Sequence, residues 1–146
     1  MIQYTKILVA IDLSENSTAV MQRALAVAAR NEAELYIIHV IEPLSFAYGG
    51  DIPMDFSGIQ EEIHTQAKLQ LQHFAQSAGA DTEHQRMMLG KPEVEIHAMA
   101  EELGVDLIVV GSHGRHGWQL LMGSTANGVL HGATCDVLAV RVGKKD

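Results

Sequence analysis

The sequence predicts an α/β fold, a single open five-stranded parallel sheet with helices on both faces. Three observations predict it. Four short runs, KILVAID, ELYIIHVIE, DLIVVGS and DVLAVRV, are continuously apolar and bounded by polar or turn residues, which is how strands covered on both faces read. Between them lie segments whose apolar residues recur every three or four positions, the period of a helix. The two patterns alternate and end on a strand, and right-handed crossovers turn that alternation into a parallel sheet. With 146 residues, 47% of them hydrophobic, residues 1–146 have the size and apolar content of one domain.

Taken in order, KILVAID is the first strand. Ser14 is placed to cap the helix that follows, which runs from Glu15 to Arg30 with Val20, Ala24 and Val27 at helical spacing. ELYIIHVIE is the second strand. An irregular stretch, Pro43 to Gly58, then leaves from its carboxyl end, where it could serve either as a lid over a ligand or as a plain surface loop. The second helix spans Gly58 to Ala78, with Ile59, Ile63, Ala67, Leu71, Phe74 and Ala78 in one stripe and Gly79 as its C-cap. A weaker strand from Glu83 to Leu89 precedes Gly90. Pro92 sits in the first turn of a third helix, which continues through Leu103 and stops at Gly104. DLIVVGS is the fourth strand, Ser124 to Gly132 the fourth helix, and DVLAVRV the last strand.

Charge and composition narrow the function. Ten basic against 18 acidic residues give a net charge of −8, which argues against nucleic acid and anionic membranes as partners, because both call for a basic surface. No apolar run approaches the roughly 20 residues of a membrane span. The start, MIQYTKILVAID, has too short an apolar run to read as a signal peptide, so the chain reads as cytoplasmic. The single cysteine, Cys135, permits no intramolecular disulfide and reads as a small buried residue entering the last strand.

In doubly wound sheets ligands bind beyond the carboxyl ends of the strands, where strand order reverses. Three segments should meet there: Ala10 to Ser14, His39 to Glu42, and the loop GSHGRHGWQLLMGSTANGVLHG, which holds six glycines. A strand ending in glycine and leading to a helix start suits an anion, since the first helical amides lack partners and carry partial positive charge. Gly111 and Gly114 would let backbone approach a phosphate, with Ser124 and Thr125 adding hydroxyl donors, so no lysine is required. A turn that only reverses the chain explains the same glycines. The patterns GxxxxGK[ST], GxGxxG after the first strand, and G-x-S-x-G are all absent, which speaks against P-loop enzymes, dinucleotide folds and α/β-hydrolases. His113 and His116 lack companions that would complete a metal site. His39, in an apolar strand, reads as a hydrogen-bonded core histidine, and His64 and His73 as solvated.

KILVAIDLSENS, IIHVIEP, DLIVVGSHGRHG and LLMGSTANGVLHGATCDVLAVRV, in this order and spacing, together resemble the universal stress protein family over nearly the whole chain. The resemblance implies a sheet in the order 3-2-1-4-5. It also implies a division between ATP-binding members and others by the motif G-x2-G-x9-G-[ST]. Gly111, Gly114, Gly123 and Ser124 match it, except that eight residues rather than nine separate Gly114 from Gly123. That difference shortens the loop by up to about 3.5 Å. Carried over, the family pattern has Asp12 at the ribose or adenine side with Ala10 beside it, and the Val40 backbone on adenine. Val110 and Gly111 then flank ribose and phosphates, and Gly114, Ser124 and Thr125 hold the phosphates. For Asp12, capping of the first helix or turn is the other reading.

The implied protein binds ATP, with or without Mg2+, as a regulatory ligand and not as an enzyme beyond slow hydrolysis. Its alternatives are a member that acts through homodimerisation or protein partners, and a weak ATPase. The last strand lies at a sheet edge, and family members pair through it, so a homodimer with Val140 and Val142 near the contact is expected.

Overall fold

The computed structural model describes residues 3–43, 57–77, 79, 84–112 and 124–142. Five strands, β1 (Lys6–Ala10), β2 (Glu34–Ile41), β3 (Gln85–Leu89), β4 (Leu107–Gly111) and β5 (Asp136–Val140), form one parallel sheet in the order β3-β2-β1-β4-β5. The described helices are α1 (Ser17–Asn31), α2 (Ser57–Ser77), α3 (Pro92–Leu103) and α4 (Ser124–Gly132). None of them is long and apolar enough to cross a membrane.

Each central strand feeds two cores, which is why its sequence is apolar over most of its length. Ile7, Val9, Ile37, Leu107 and Val109 pack with Val20, Met21, Ala24 and Ala28 of α1 and with Leu71 and Ala75 of α2. Leu8, Ile38, Ile108 and Val110 face the other way, against Ile96 and Met99 of α3 and Ala126 and Val129 of α4. Side chains alternate across a strand, so a polar residue on either face of β1 or β4 would be buried.

Several local expectations shift. Asn16, not Ser14, occupies the position before α1, which starts at Ser17; Ser14 closes the preceding turn instead, its carbonyl accepting the Ser17 N–H at 3.0 Å and its Oγ the Asn16 N–H at 3.3 Å. α1 ends on Glu32 in the left-handed region (φ 53°) rather than on a glycine. Gly104 ends α3 as expected, with φ 69°. The stripe on α2 is buried at Ala67 and Leu71, but Ile59 is 50% and Ile63 37% exposed. A helix of 21 residues is about 31 Å long, whereas the five residues of β3 span about 17 Å, so the first turns of α2 overhang the sheet. Ala78 and most of the stretch from Pro43 to Gly58 lie outside the described residues.

Val140 ends the edge strand β5 and Val142 follows it, but neither side chain faces outward. Both are buried in the core on the α1 side, because alternation along β5 turns Val137 and Ala139 to the α4 side and Val140 inward. Cys135 precedes β5 and is only half-buried, and that burial pushes its thiol above the usual range.

β1 and β4, the pair beneath the cleft described below, are locked at their starts by Asp106. Its carboxylate accepts the Thr5 N–H at 2.9 Å, the Thr5 hydroxyl at 3.0 Å and the Lys6 N–H at 3.1 Å. Burial alone would raise this carboxyl; the hydrogen bonds from Thr5 and Lys6 outweigh it and hold the group below the ordinary aspartate value. A carboxyl depressed in the folded state contributes stability above its unfolded pKa of about 3.9, and that contribution is lost as pH falls through the folded value. Urea unfolding of Asp106→Asn should therefore show a lower midpoint at pH 7 and a shallower decline below pH 4 than the natural chain.

Candidate functional site

β1 and β4 are neighbours whose crossovers leave in opposite directions, to β2 and to β5. Helices then cover both faces but cannot close the gap above the carboxyl ends of these two strands. A small cleft of about 90 Å3, open to solvent, lies there. Its floor is apolar: Ala10, Ile38, Val40 and Val110 from the strands, Ile96 from α3 and Ala126 from α4. Its rim is polar: Asp12, Asn16, Ser17, Gly111 and Thr125.

Six of the nine residues expected from the sequence, Ala10, Asp12, Val40, Val110, Gly111 and Thr125, are brought together in this one cleft. Ser124 is the first residue of α4, next to Thr125. Gly114 and Gly123 lie outside the described residues. Sequence reasoning missed Asn16, Ser17, Pro92 and Ile96 as lining residues. A usable signal was present, because helices that follow parallel strands all start at the carboxyl end of the sheet, which puts the first turns of α1, α3 and α4 around one opening.

Asp12 takes the turn-capping role that was the second reading of it. Its Oδ1 accepts the Ser14 N–H at 2.9 Å and the Ser17 hydroxyl at 3.1 Å, while Oδ2 has no hydrogen bond among the described residues. A capping role and a ligand role are compatible, since a carboxylate offers about four lone-pair positions.

The backbone of β2 supplies a second polar feature. The Ile41 carbonyl accepts the Gly90 N–H at 2.9 Å, so residue 41 turns toward β3; the Ile38 carbonyl accepts the Ile11 N–H at 3.0 Å, so residue 38 turns toward β1. Alternation turns the N–H and C=O of Val40 to the same side as those of Ile38. The β1–β2 ladder ends at Ala10 and Ile38, so Val40 presents a donor and an acceptor past the end of β1, at the floor of the cleft.

The helix ends around the rim are not equivalent. α3 carries Glu93 and Glu95 in its first turn, which oppose the positive end of its dipole, whereas the first turns of α1 and α4 hold no acidic residue. Asp12 stands at the mouth of α1, which leaves the start of α4 as the end best suited to an anion.

A doubly wound sheet with a cleft at its switch point is a frame on which many α/β proteins hold small ligands. A profile of the Universal stress protein family matches residues 3–141, and the chain belongs to that family. Universal stress protein A homolog 2 of Coxiella burnetii is 44% identical over 143 residues, covering 95% of this chain and 96% of that protein. Among solved structures, UspA of Lactobacillus plantarum superposes with a TM-score of 0.79 over 97% of this chain and all of its own, at 24% identity, and shares the fold. A universal stress protein solved in complex with cAMP superposes with a TM-score of 0.62 at 28% identity, covering 95% of this chain and 98% of that one.

Proposed function

We propose that this chain is a cytoplasmic stress-response protein that binds an adenine nucleotide, ATP foremost, as a regulatory ligand. The observation that carries this reading is the pairing of an apolar floor with the open N–H and C=O of Val40. A purine is a flat apolar ring with hydrogen-bonding groups on its edge, and it needs both. Ala10, Val110 and Ile96 would stack on its faces. The rim then orders the rest of the molecule: the carboxylate of Asp12 suits ribose hydroxyls and repels phosphate, so the phosphates would run toward Gly111 and the start of α4 at Ser124 and Thr125, joined by Gly114 and Gly123 as the sequence motif implies. Mg2+ would enter, where it enters at all, with the phosphates. The relative solved with cAMP is consistent with an adenine nucleotide as the ligand class.

What the described cleft offers is backbone groups, hydroxyls and one carboxylate already engaged at Oδ1, a set that suits holding a ligand more than turning it over; fast phosphoryl transfer calls for positioned cations and a water-orienting group. Occupancy, not turnover, would then be the signal. Titration calorimetry of Mg-ATP into ligand-free protein tests this, with Ala10→Leu filling the floor. The expected result is micromolar binding that weakens by about tenfold or more in the variant with an unchanged urea midpoint. Absence of heat with both proteins would overturn the reading.

The second part of the proposal is a homodimer through the β5 edge. Val137 is half-buried and Ala139 exposed on that edge strand, and Leu130 of α4, on the same face of the sheet, is 50% exposed. An apolar edge with open backbone groups favours strand pairing. Sedimentation should find a dimer at micromolar concentration and a monomer for Ala139→Lys, whose charge sits on the edge without entering the core. A monomeric natural chain would refute this part alone.

A further inference from the structure

Two polar side chains are buried among the described residues, Ser17 and His39. Ser17 bonds Asp12 directly. His39 is 8% exposed, in the middle of β2, and a buried imidazole is retained only where its nitrogens are satisfied. Its Nδ1 lies 2.8 Å from the carbonyl oxygen of Ile11. A carbonyl only accepts, so Nδ1 carries the proton and donates.

That carbonyl belongs to the peptide unit that opens Asp12. Ile11 is held on its other side as well, since its N–H donates to Ile38. Neighbouring residues of β2 thus grip residue 11 from both sides, just before the chain turns. The turn itself is strained: Leu13 stands at φ 61°, a conformation that is unfavourable for a branched L-residue. Its side chain packs against the α1-side core, and Asp12 Oδ1 spans the turn to Ser14 and Ser17. Strain of this kind persists only where the surroundings over-determine it.

We propose that His39 is a positioning residue for the cleft: by latching the Ile11 carbonyl it holds the strained Asp12–Leu13–Ser14 turn in the one arrangement that presents the Asp12 carboxylate at the rim. His39 is not among the described residues that line the cleft; it acts through Asp12. Only the affinity consequence rests on the nucleotide reading of the site. The geometry of the turn does not.

The test compares His39→Val and His39→Gln with His39→Asn. Asn places an amide N–H where the imidazole Nδ1–H stood, Gln keeps the polarity but carries the donor one carbon too far, and Val removes it. In ligand-free protein, exchange of the Ser14 amide, the proton held by Asp12, should speed up at least about tenfold in the Val and Gln variants and return toward the natural rate in the Asn variant, while the Val105 amide at the far end of the sheet stays protected. Affinity for ATP should fall roughly tenfold in step and recover with Asn. Unchanged Ser14 exchange in the Val and Gln variants would overturn the latch, and so would a uniform loss of protection that reached Val105. Faster Ser14 exchange in a protein that binds no nucleotide even in its natural form would uphold the latch and refute the proposed ligand.

Discussion

The rest of the structure depends on the burial of β1 and β4 on both faces. Ile7 and Val9 of β1 go to one core and Leu8 to the other; Val109 and Val110 of β4 divide in the same way. Apolar surface of this extent is stable only under helices on both sides, at about 25 cal/mol for each Å2 removed from water. Covering both faces of a parallel sheet requires the crossovers to leave β1 and β4 in opposite directions. The gap above these two strands is therefore a consequence of the core, not an addition to it, and the cleft inherits its apolar floor from the last core residues of the same strands, Ala10 and Val110.

The same constraint supplies the polar rim. Every helix that follows a strand in this sheet begins at the carboxyl end, so unpaired amides and partial positive charge gather around the opening without a single basic side chain among the described residues that line it. Such a rim would reconcile a net charge of −8 with the proposed anionic ligand. Differences among the helix ends then give the cleft a direction. Glu93 and Glu95 mask one end and Asp12 faces another, so the start of α4 is where negative charge is most welcome. The absence of side chains matters as much as their presence: a larger residue at Ala10 would occupy the floor, and continuation of β1 by two residues would close off the Val40 backbone.

Most of the architecture was legible in the sequence because two-sided burial leaves an unmistakable mark, the uninterrupted apolar run. Four of the five strands fall where KILVAID, ELYIIHVIE, DLIVVGS and DVLAVRV place them, and β3 falls within the weaker stretch from Glu83 to Leu89. Ends and faces were harder to read. Ser14 and Asn16 are equally good capping residues by type, and only the turn built by Asp12 decides between them. Ile59 and Ile63 keep the helical period of α2 beyond the end of the sheet it packs on, and periodicity carries no information about where a partner stops. In β5 every residue but the first is apolar, so nothing in the run distinguishes Val140, which is buried, from Ala139, which is not. Residues of the cleft were legible where they sit at strand ends, and illegible where they act at a distance. The role assigned to His39 depends on a hydrogen bond 28 residues away in sequence, which no local pattern encodes.

The account rests on ligand recognition by the strand ends of β1, β2 and β4, and the most direct measurement is a residue-by-residue amide NMR titration of the isotopically labelled chain with ATP. Binding at the strand ends should give saturable shifts concentrated at Asp12, Val40, Gly111 and Thr125, with Val40 among the largest because its N–H would donate to the base, and little change at Thr5 or Asp106 at the opposite end of the sheet. Shifts that avoid Val40 and cluster on another surface, or no saturable shifts at all, would contradict it.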